Sequence, residues 1–474
     1  MLLRIRSERS LDAQVVELVS NSFTTESDEI LMDIDVVVAG GGIAGMTAAA
    51  HAARAGRTVL VVEKAAEIGG SAALSGGVVW RPQSKEALAT VDPNGNRELS
   101  DRTIDDYEEN IRFVESMGVT VGPRVDVLGY GTGHLIDIIG YLRACGREVE
   151  RAGGNILTGT VVEELLTDGI GVTGCRIKDR DGLSDIETKN VILATGGFQA
   201  DPDARAKYLG ASGREILLRS NPESDGGGLR LGQSVGGHLV DRTDGFYGHL
   251  VAWPLQEFGA SDFVRLSQMQ CTSGLVIGRD GRRLGDESLG YARSAQAAAR
   301  LENPVVAVVF DQVIHDEMLS EPVGGVKGLE VIDRFAEAAA AGGVTATADT
   351  WEKLAAKLEK EGFHAESFLR TVREFNEAMT SDAGGELDPP RKWNRRALDV
   401  GPFHAALTQP AVTFTFGGLA IDLNGRVLRQ DGTAVQGLYA AGGDGGVFAE
   451  GYGGGLSLGA TFGRAAAHHA VARA

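Results

Sequence analysis

Cysteine is scarce: Cys145, Cys175 and Cys271 are the only three in 474 residues. They lie far apart and form no Cys-x-x-Cys pair. That excludes a disulfide scaffold and points to buried thiols in a reducing cytoplasm. Long apolar runs are missing too. No stretch reaches about 18 residues, so neither a transmembrane helix nor stable membrane insertion is expected. Val15 to Val19 is too short and interrupted for a signal peptide. Positive charge is also in short supply, with 46 Lys and Arg against 65 Asp and Glu, a net charge of −19. This balance argues against nucleic acid and an anionic membrane surface as partners. The expected compartment is the cytoplasm. Residues 1–31 read as an N-terminal extension without an assignable role, and Met32 stands directly before the first strand.

Glycine is plentiful, at 66 residues, and its placement carries the first functional signal. Asp35-Val36-Val37-Val38-Ala39 is a β-branched run of the kind that forms a fully buried parallel strand. Gly40-Gly41-Gly42-Ile43-Ala44-Gly45 follows as a G-x-G-x-x-G turn, then an Ala-rich helical segment from Met46 to Ala55 with Gly56 as its stop. Gly40 permits the tight turn, Gly42 lets backbone N–H groups approach a pyrophosphate, and Gly45 lets the helix pack on the strand. The helix N-terminus adds partial positive charge. A second apolar strand, Thr58 to Val62, ends in Glu63, whose carboxylate can accept from ribose hydroxyls. Glycines alone are a weak signal. The full strand–glycines–helix–strand–Glu order points to an adenine dinucleotide.

Two later segments share this character. Val191-Ile192-Leu193-Ala194-Thr195-Gly196-Gly197 and Gly437-Leu438-Tyr439-Ala440-Ala441-Gly442-Gly443 each read as a buried strand ending in a small, flexible turn. Thr160 to Glu187 alternates apolar segments with Asp168-Gly169, Gly174 and Asp181-Gly182, a β-meander pattern. Gly459 to Ala474 is helical. One nucleotide-binding domain, residues 32–256 and 413–474, gathers these pieces, and residues 257–412 are an insertion. The insertion holds helical patterns at Trp351 to Glu361 and Ala365 to Thr380, and an apolar strand at Val305 to Phe310.

With these pieces in order, the chain resembles the FAD-dependent fumarate reductase/succinate dehydrogenase flavoprotein family. The residues that carry the resemblance are Gly40 to Gly45, Glu63-Lys64, Gly69 to Gly77, Ala194 to Gly197, Asp225 to Gly228, Phe416 to Leu419 and Gly437 to Gly442. They cover nearly the whole chain. The resemblance implies an α/β fold: a Rossmann-type FAD-binding domain built from both chain ends, with an inserted α+β cap domain carrying substrate. It implies that the pyrophosphate lies on Gly40, Gly42, Ile43, Ala44 and Gly45, the ribose on Glu63 beside Lys64, and adenine near Val162. Gly70, Ser71, Ser75, Gly76 and Gly77 should line the ribityl chain and ring, with Ala194, Thr195, Gly196 and Asp225 beside them. Members often read Ala-Ala-Gly-Glu, whereas here Gly443 and then Asp444 follow Gly442 beside the cofactor, and Ser457-Leu458 should face the pyrimidine end. The respiratory members bond FAD through a His in the segment beginning at Gly70. This chain has none there, so FAD should be noncovalent. No metal site is expected.

The dicarboxylate reductases of the family place a His where this chain has Phe414, and a Phe cannot bind a carboxylate. After Gly281 to Glu287 comes Tyr291, with Arg293 two residues on. This arrangement looks like the ketone-desaturating branch typified by the 3-ketosteroid dehydrogenases. There a Tyr removes the α-proton, hydride passes from the β-carbon to flavin N5, and a second Tyr before a glycine-rich turn binds the ketone oxygen. Tyr452, before Gly453-Gly454-Gly455, matches the second Tyr. Removing the α-proton leaves enolate charge on the ketone oxygen, so donors placed there stabilise the transition state. An unperturbed Tyr has a pKa of about 10, so the base needs support, for which Arg293 and a helix N-terminus are the candidates, and activity should rise toward alkaline pH. Tyr247, Phe414, Phe416, Gly454 and Gly455 are the expected substrate contacts.

The expected function is FAD-dependent α,β-desaturation of a cyclic ketone, such as a 3-ketosteroid or an oxocyclohexane carboxylate. The electron acceptor would be a quinone, oxygen or a redox protein. Two alternatives stay open: a fumarate-reductase-like enzyme acting on a C–C bond of a carboxylic acid, with Arg293 as proton donor, and a non-catalytic flavin electron-transfer protein.

Overall fold

The computed structural model describes residues 34–255, 258–322 and 330–473. The expected extension, residues 1–31, lies outside them. In chain order, the elements that build the site are β1 (Val36–Ala39), α1 (Ile43–Arg54), β2 (Val59–Val62), β3 (Val191–Leu193), β4 (Phe246–Ala252), α2 (Tyr291–Ala299), β5 (Val306–Phe310), β6 (Phe403–Thr415), β7 (Ala434–Ala440) and α3 (Gly455–Arg473).

β1 has parallel neighbours on both sides, β2 and β3. β7 runs parallel beyond β3, Asn155–Leu157 parallel beyond β2, and Arg426–Leu428 antiparallel at the β7 edge. Both faces are covered, which is why β1 is an unbroken apolar run. Val36 and Val38 join one core cluster, and Val37 and Ala39 join another on the opposite face, the period-two alternation of a strand. α1 packs on α3 so closely that a Cβ at Gly463 would lie 2.3 Å from the Ala44 carbonyl oxygen. The meander forms as expected, with Val161–Thr167, Val172–Asp179 and Gly182–Glu187 in an antiparallel sheet.

A second sheet is organised around β6, which pairs with β4, β5, Thr345–Ala348 and Leu217–Leu218. Its core is separate, built on β5 and on Leu354, Leu358, Phe368 and Phe375 from the helices Trp351–Lys360 and Ala365–Thr380. This sheet begins upstream of the expected boundary at 256/257. Leu217–Leu218 and β4 already belong to it, and β6 carries it through to Thr415, past the expected end at 412. The chain crosses between the sheets at those points, and a cleft opens there. All three cysteines are buried free thiols, each pushed up to about 12 by burial.

Candidate functional site

The cleft has an empty volume of about 2080 Å³, counting the part open to solvent. At one end the β1–α1 turn forms its floor. Gly40 adopts φ +111°, a left-handed conformation that favours glycine, and its N–H donates to the Val62 carbonyl at 2.8 Å. α1 starts at Gly42 with no side-chain cap and no acidic residue in its first turn. Its amides are therefore left for a ligand. A Cβ on Gly42 would meet nothing nearer than the Gly69 carbonyl at 4.0 Å. Open space in front of uncapped amides is what a pyrophosphate needs. Glu63 is oriented by the Gly41 N–H at 2.6 Å and the Ala65 N–H at 2.7 Å.

Most of the expected cofactor residues meet here. Gly40, Gly42, Ile43, Ala44, Glu63, Lys64, Gly70, Ser71, Ser75, Gly76, Val162, Ala194, Thr195, Gly196, Asp225, Gly442, Gly443 and Leu458 all line the cleft. Lys64 pairs with Asp225 at 3.0 Å and Glu223 at 3.1 Å. Four others stand behind the lining. Gly45 lies against the Gly40 carbonyl, and Gly77 against the Ile136 carbonyl. The Ser457 hydroxyl donates to the Trp80 carbonyl at 2.6 Å. Asp444 accepts from the Thr195 N–H at 2.5 Å and the Thr195 hydroxyl at 3.0 Å, tying the β3 turn to the β7 turn. Burial pushes its carboxyl up to about 7 against those bonds. Asp444 thus acts on the turns and not as a cleft-lining group.

At the other end the cleft is aromatic. Tyr247 and His249 alternate on β4 and so share a face. Tyr291 opens α2, and Tyr452 stands in the turn before α3. The Tyr247 hydroxyl bonds the Tyr291 hydroxyl at 3.1 Å and His249 Nε2 at 3.0 Å. The Tyr247 ring stacks on Tyr452 with centroids 3.8 Å apart, and His249 stacks on Tyr291 at 4.1 Å. The Tyr452 hydroxyl accepts the Gly455 N–H at 3.3 Å. Phe414 and Gly455 complete this end, with Phe414 paired opposite Tyr247 in the sheet. Burial pushes all three phenols well above their ordinary pKa, outweighing the opposing pull of Arg219. Burial, then the charges of Arg219 and Arg334, hold His249 well below the usual imidazole range. The four groups are neutral at physiological pH.

Three expectations are corrected at this end. Arg293 does not face the tyrosines. Residues two apart on a helix point in different directions, and Arg293 turns to Glu450 at 2.5 Å, outside the cleft lining. Phe416 is buried in the core against Phe448. Gly454 serves the backbone: a Cβ there would lie 2.2 Å from the Trp80 carbonyl. The cation beside the phenols is instead Arg219, just after Leu217–Leu218, where its N–H bonds the Val412 carbonyl at 2.8 Å. It is one of 46 basic residues, and no spacing in the sequence singles it out.

Residues 35–110 and 126–462 match the family described as FAD binding domain. The 3-oxosteroid 1-dehydrogenase of Mycolicibacterium smegmatis (strain ATCC 700084 / mc(2)155) is 26% identical over 534 residues, covering 86% of this chain and 91% of that protein. The NADH:fumarate oxidoreductase of Klebsiella pneumoniae (strain 342) is 26% identical over 436 residues, 86% of this chain but 44% of the relative, so the chain spans less than half of that protein. The fold is shared with the 3-ketosteroid-Δ4-(5α)-dehydrogenase of Rhodococcus jostii RHA1, at a TM-score of 0.71 and 22% identity over 92% of this chain and 96% of that one. The cofactor is FAD, and the uncapped α1 amides, Gly42, Glu63 and Val162 are placed to hold it.

Proposed function

We propose, from the premise that this chain belongs to the FAD binding domain family, that it desaturates a cyclic ketone between the carbons α and β to the carbonyl. The protein is an FAD-dependent oxidoreductase of the fumarate reductase and ketosteroid dehydrogenase family. The observation that carries the finer reading is the set of three linked phenols in the cleft, facing Phe414 where a carboxylate reductase would need a cationic or imidazole clamp.

FAD, held by the α1 amides, Glu63 and Val162, would supply the acceptor for the hydride that leaves the β-carbon. Tyr452 donates its hydroxyl proton to the ketone oxygen as a hydrogen bond, stabilising the enolate charge that develops there. The Gly455 N–H, bonded to the Tyr452 oxygen, orients that hydroxyl. Tyr291 takes the α-proton in its phenolate form. Tyr247 donates a hydrogen bond to that phenolate, and His249 fixes Tyr247 from the other side. Stacking of Tyr247 on Tyr452 and of His249 on Tyr291 holds the base and the donor in one rigid unit.

Anaerobic mixing of the yellow holoenzyme with cyclic ketones, and separately with succinate, fumarate and tricarballylate, tests this reading. Ring ketones are expected to bleach the flavin band and succinate is not. Bleaching by succinate with no response to any ketone would return the enzyme to the carboxylic-acid reading. A second expectation concerns attachment. Heat or acid should release all the flavin as free FAD, because the segment Gly70 to Gly77 offers Ser, Ala, Leu and Gly but no His, Cys or Tyr nucleophile. Flavin remaining on the denatured polypeptide would contradict noncovalent binding.

A further inference from the structure

Arg219 is buried in the cleft wall, 7% exposed, and every acceptor it has is neutral. Nε donates to the Phe263 carbonyl at 2.9 Å and the Ser267 hydroxyl at 3.2 Å, Nη1 to the Thr413 hydroxyl at 3.0 Å, and Nη2 to the Phe263 carbonyl at 2.7 Å. The guanidinium also lies over the Phe263 ring, 5.3 Å from its centroid. One N–H on each terminal nitrogen is left without a protein acceptor among the described residues. No carboxylate among the described residues pairs with it, and the charged or titratable groups that act on it are the phenols of Tyr247, Tyr291 and Tyr452.

Buried guanidiniums outside the cleft are held in more than one way: Arg205 bonds only the Gly213, Gln199 and Arg214 carbonyls. Arg391, fully buried, pairs with Glu287 at 3.1 Å, and Arg283 pairs with the same carboxylate at 2.6 Å. A buried charge is normally paired. Arg219, like Arg205, has no carboxylate partner among the described residues, but it lines the cleft together with the phenols. Thr413, which holds it, is the extra residue of a β-bulge where β6 slips against β4 between Tyr247 and Gly248. Bulges re-aim side chains near ligand sites.

We propose that the substrate is a ring ketone bearing a carboxylate, and that Arg219 is the counter-ion for that carboxylate. The inference rests on the ketone-desaturase reading and deepens it. A guanidinium matches a carboxylate with two parallel N–H donors. With the carboxylate on Arg219 and the ketone oxygen on Tyr452, the ring is held at two points and its α-carbon is presented to Tyr291. Phe263, Val264, Met269 and Phe414 supply apolar surface for the ring carbons between them.

The test uses the holoenzyme and three probes: 4-oxocyclohexanecarboxylate, its methyl ester, and cyclohexanecarboxylate, which has no ketone. The wild type is expected to bleach with the acid at a kcat/KM about 30-fold or more above that for the ester, the lower end for removing one partner of a buried charge pair. Cyclohexanecarboxylate should perturb the flavin absorbance and compete with the acid. In Arg219→Met both the preference and the perturbation should vanish. Arg219→Lys, which keeps the charge without the fork, should give an intermediate ratio and serves if the Met variant does not hold FAD. Equal rates for acid and ester in the wild type would overturn the proposal and leave the desaturase reading standing. So would an Arg219→Met enzyme with an altered flavin spectrum or pH profile but an unchanged acid-to-ester ratio, since Arg219 would then serve the flavin or Tyr291. If cyclohexanecarboxylate binds through Arg219 yet no ketone bleaches the flavin, the carboxylate site is supported and the ketone reading fails.

Discussion

Tyr291→Phe is expected to slow flavin reduction by a ring ketone by about 10²–10⁴-fold, the usual contribution of a positioned general base, while substrate binding stays close to wild type. Only a hydroxyl is removed. The ring that stacks on His249 at 4.1 Å remains, so the loss falls in the transition state and appears in the rate rather than in a binding titration. The pH profile gives a second readout. Burial holds the Tyr291 phenol above its ordinary range, so the phenolate is the minor form at neutral pH and grows as pH rises. The wild-type rate should therefore climb into the alkaline range, and the Tyr291→Phe rate should not. Tyr452→Phe should cost roughly 10²–10³ through loss of the ketone donor and keep the alkaline rise. Arg293→Lys should be nearly silent, because that side chain is occupied by Glu450 at 2.5 Å. A Tyr291→Phe enzyme within about tenfold of wild type, below the range for such a base, would remove Tyr291 from the mechanism. An inactive Arg293→Lys beside an active Tyr291→Phe would favour an arginine acid.

Gly45→Ala should yield colourless protein. A Cβ at Gly45 would sit 1.9 Å from the Gly40 carbonyl oxygen and 3.1 Å from Val38 Cγ1. Gly40 belongs to the β1–α1 turn and Val38 to β1, so α1 must move off β1. Overpacking of this kind costs about 1–3 kcal/mol, and the melting temperature should fall with the flavin content. Gly42→Ala separates the two effects. Its Cβ meets only the Gly69 carbonyl at 4.0 Å, so the apoprotein should keep wild-type stability within about 0.5 kcal/mol and still lose FAD, because the methyl fills the phosphate space. Flavin absorbance relative to protein, with a thermal melt of each apoprotein, checks both. A Gly42→Ala protein that purifies with full FAD would remove the β1–α1 turn from the phosphate site.

The nucleotide sheet was legible in the sequence because burial on both faces turns β1, β3 and the Leu438–Ala440 end of β7 into apolar runs. The helices Trp351–Lys360 and Ala365–Thr380 were legible for a related reason, since each hides one stripe of residues at helical spacing. β6 was not legible. Gln409 and Pro410 interrupt it, and a Pro normally argues against a paired strand, yet Pro410 stands opposite Leu250 within thirteen strand residues. Missing β6 displaced the expected boundaries of the insertion. Tyr291 and Tyr452, singled out through the family resemblance, both line the cleft, whereas Arg293, named at a spacing that ignored the turn of α2, turns to Glu450. Arg219 left no trace in the sequence. Its meaning lies in the absence of a carboxylate around it, which is a property of three-dimensional surroundings alone.

The close packing of α3 on α1 has a consequence for how the protein is made. β1, α1 and β2 emerge from the ribosome early, but β3 gains its outer partner β7, and α1 its cover α3, only after the entire second sheet has been synthesised. Contacts of such wide sequence separation close slowly, and domains assemble as their residues become available. Ala441, Gly442 and Leu458, which line the cleft, come with that last portion. The complete FAD site is therefore expected only once those residues are in place, and a nascent chain arrested before β7 would expose the apolar edge of β3.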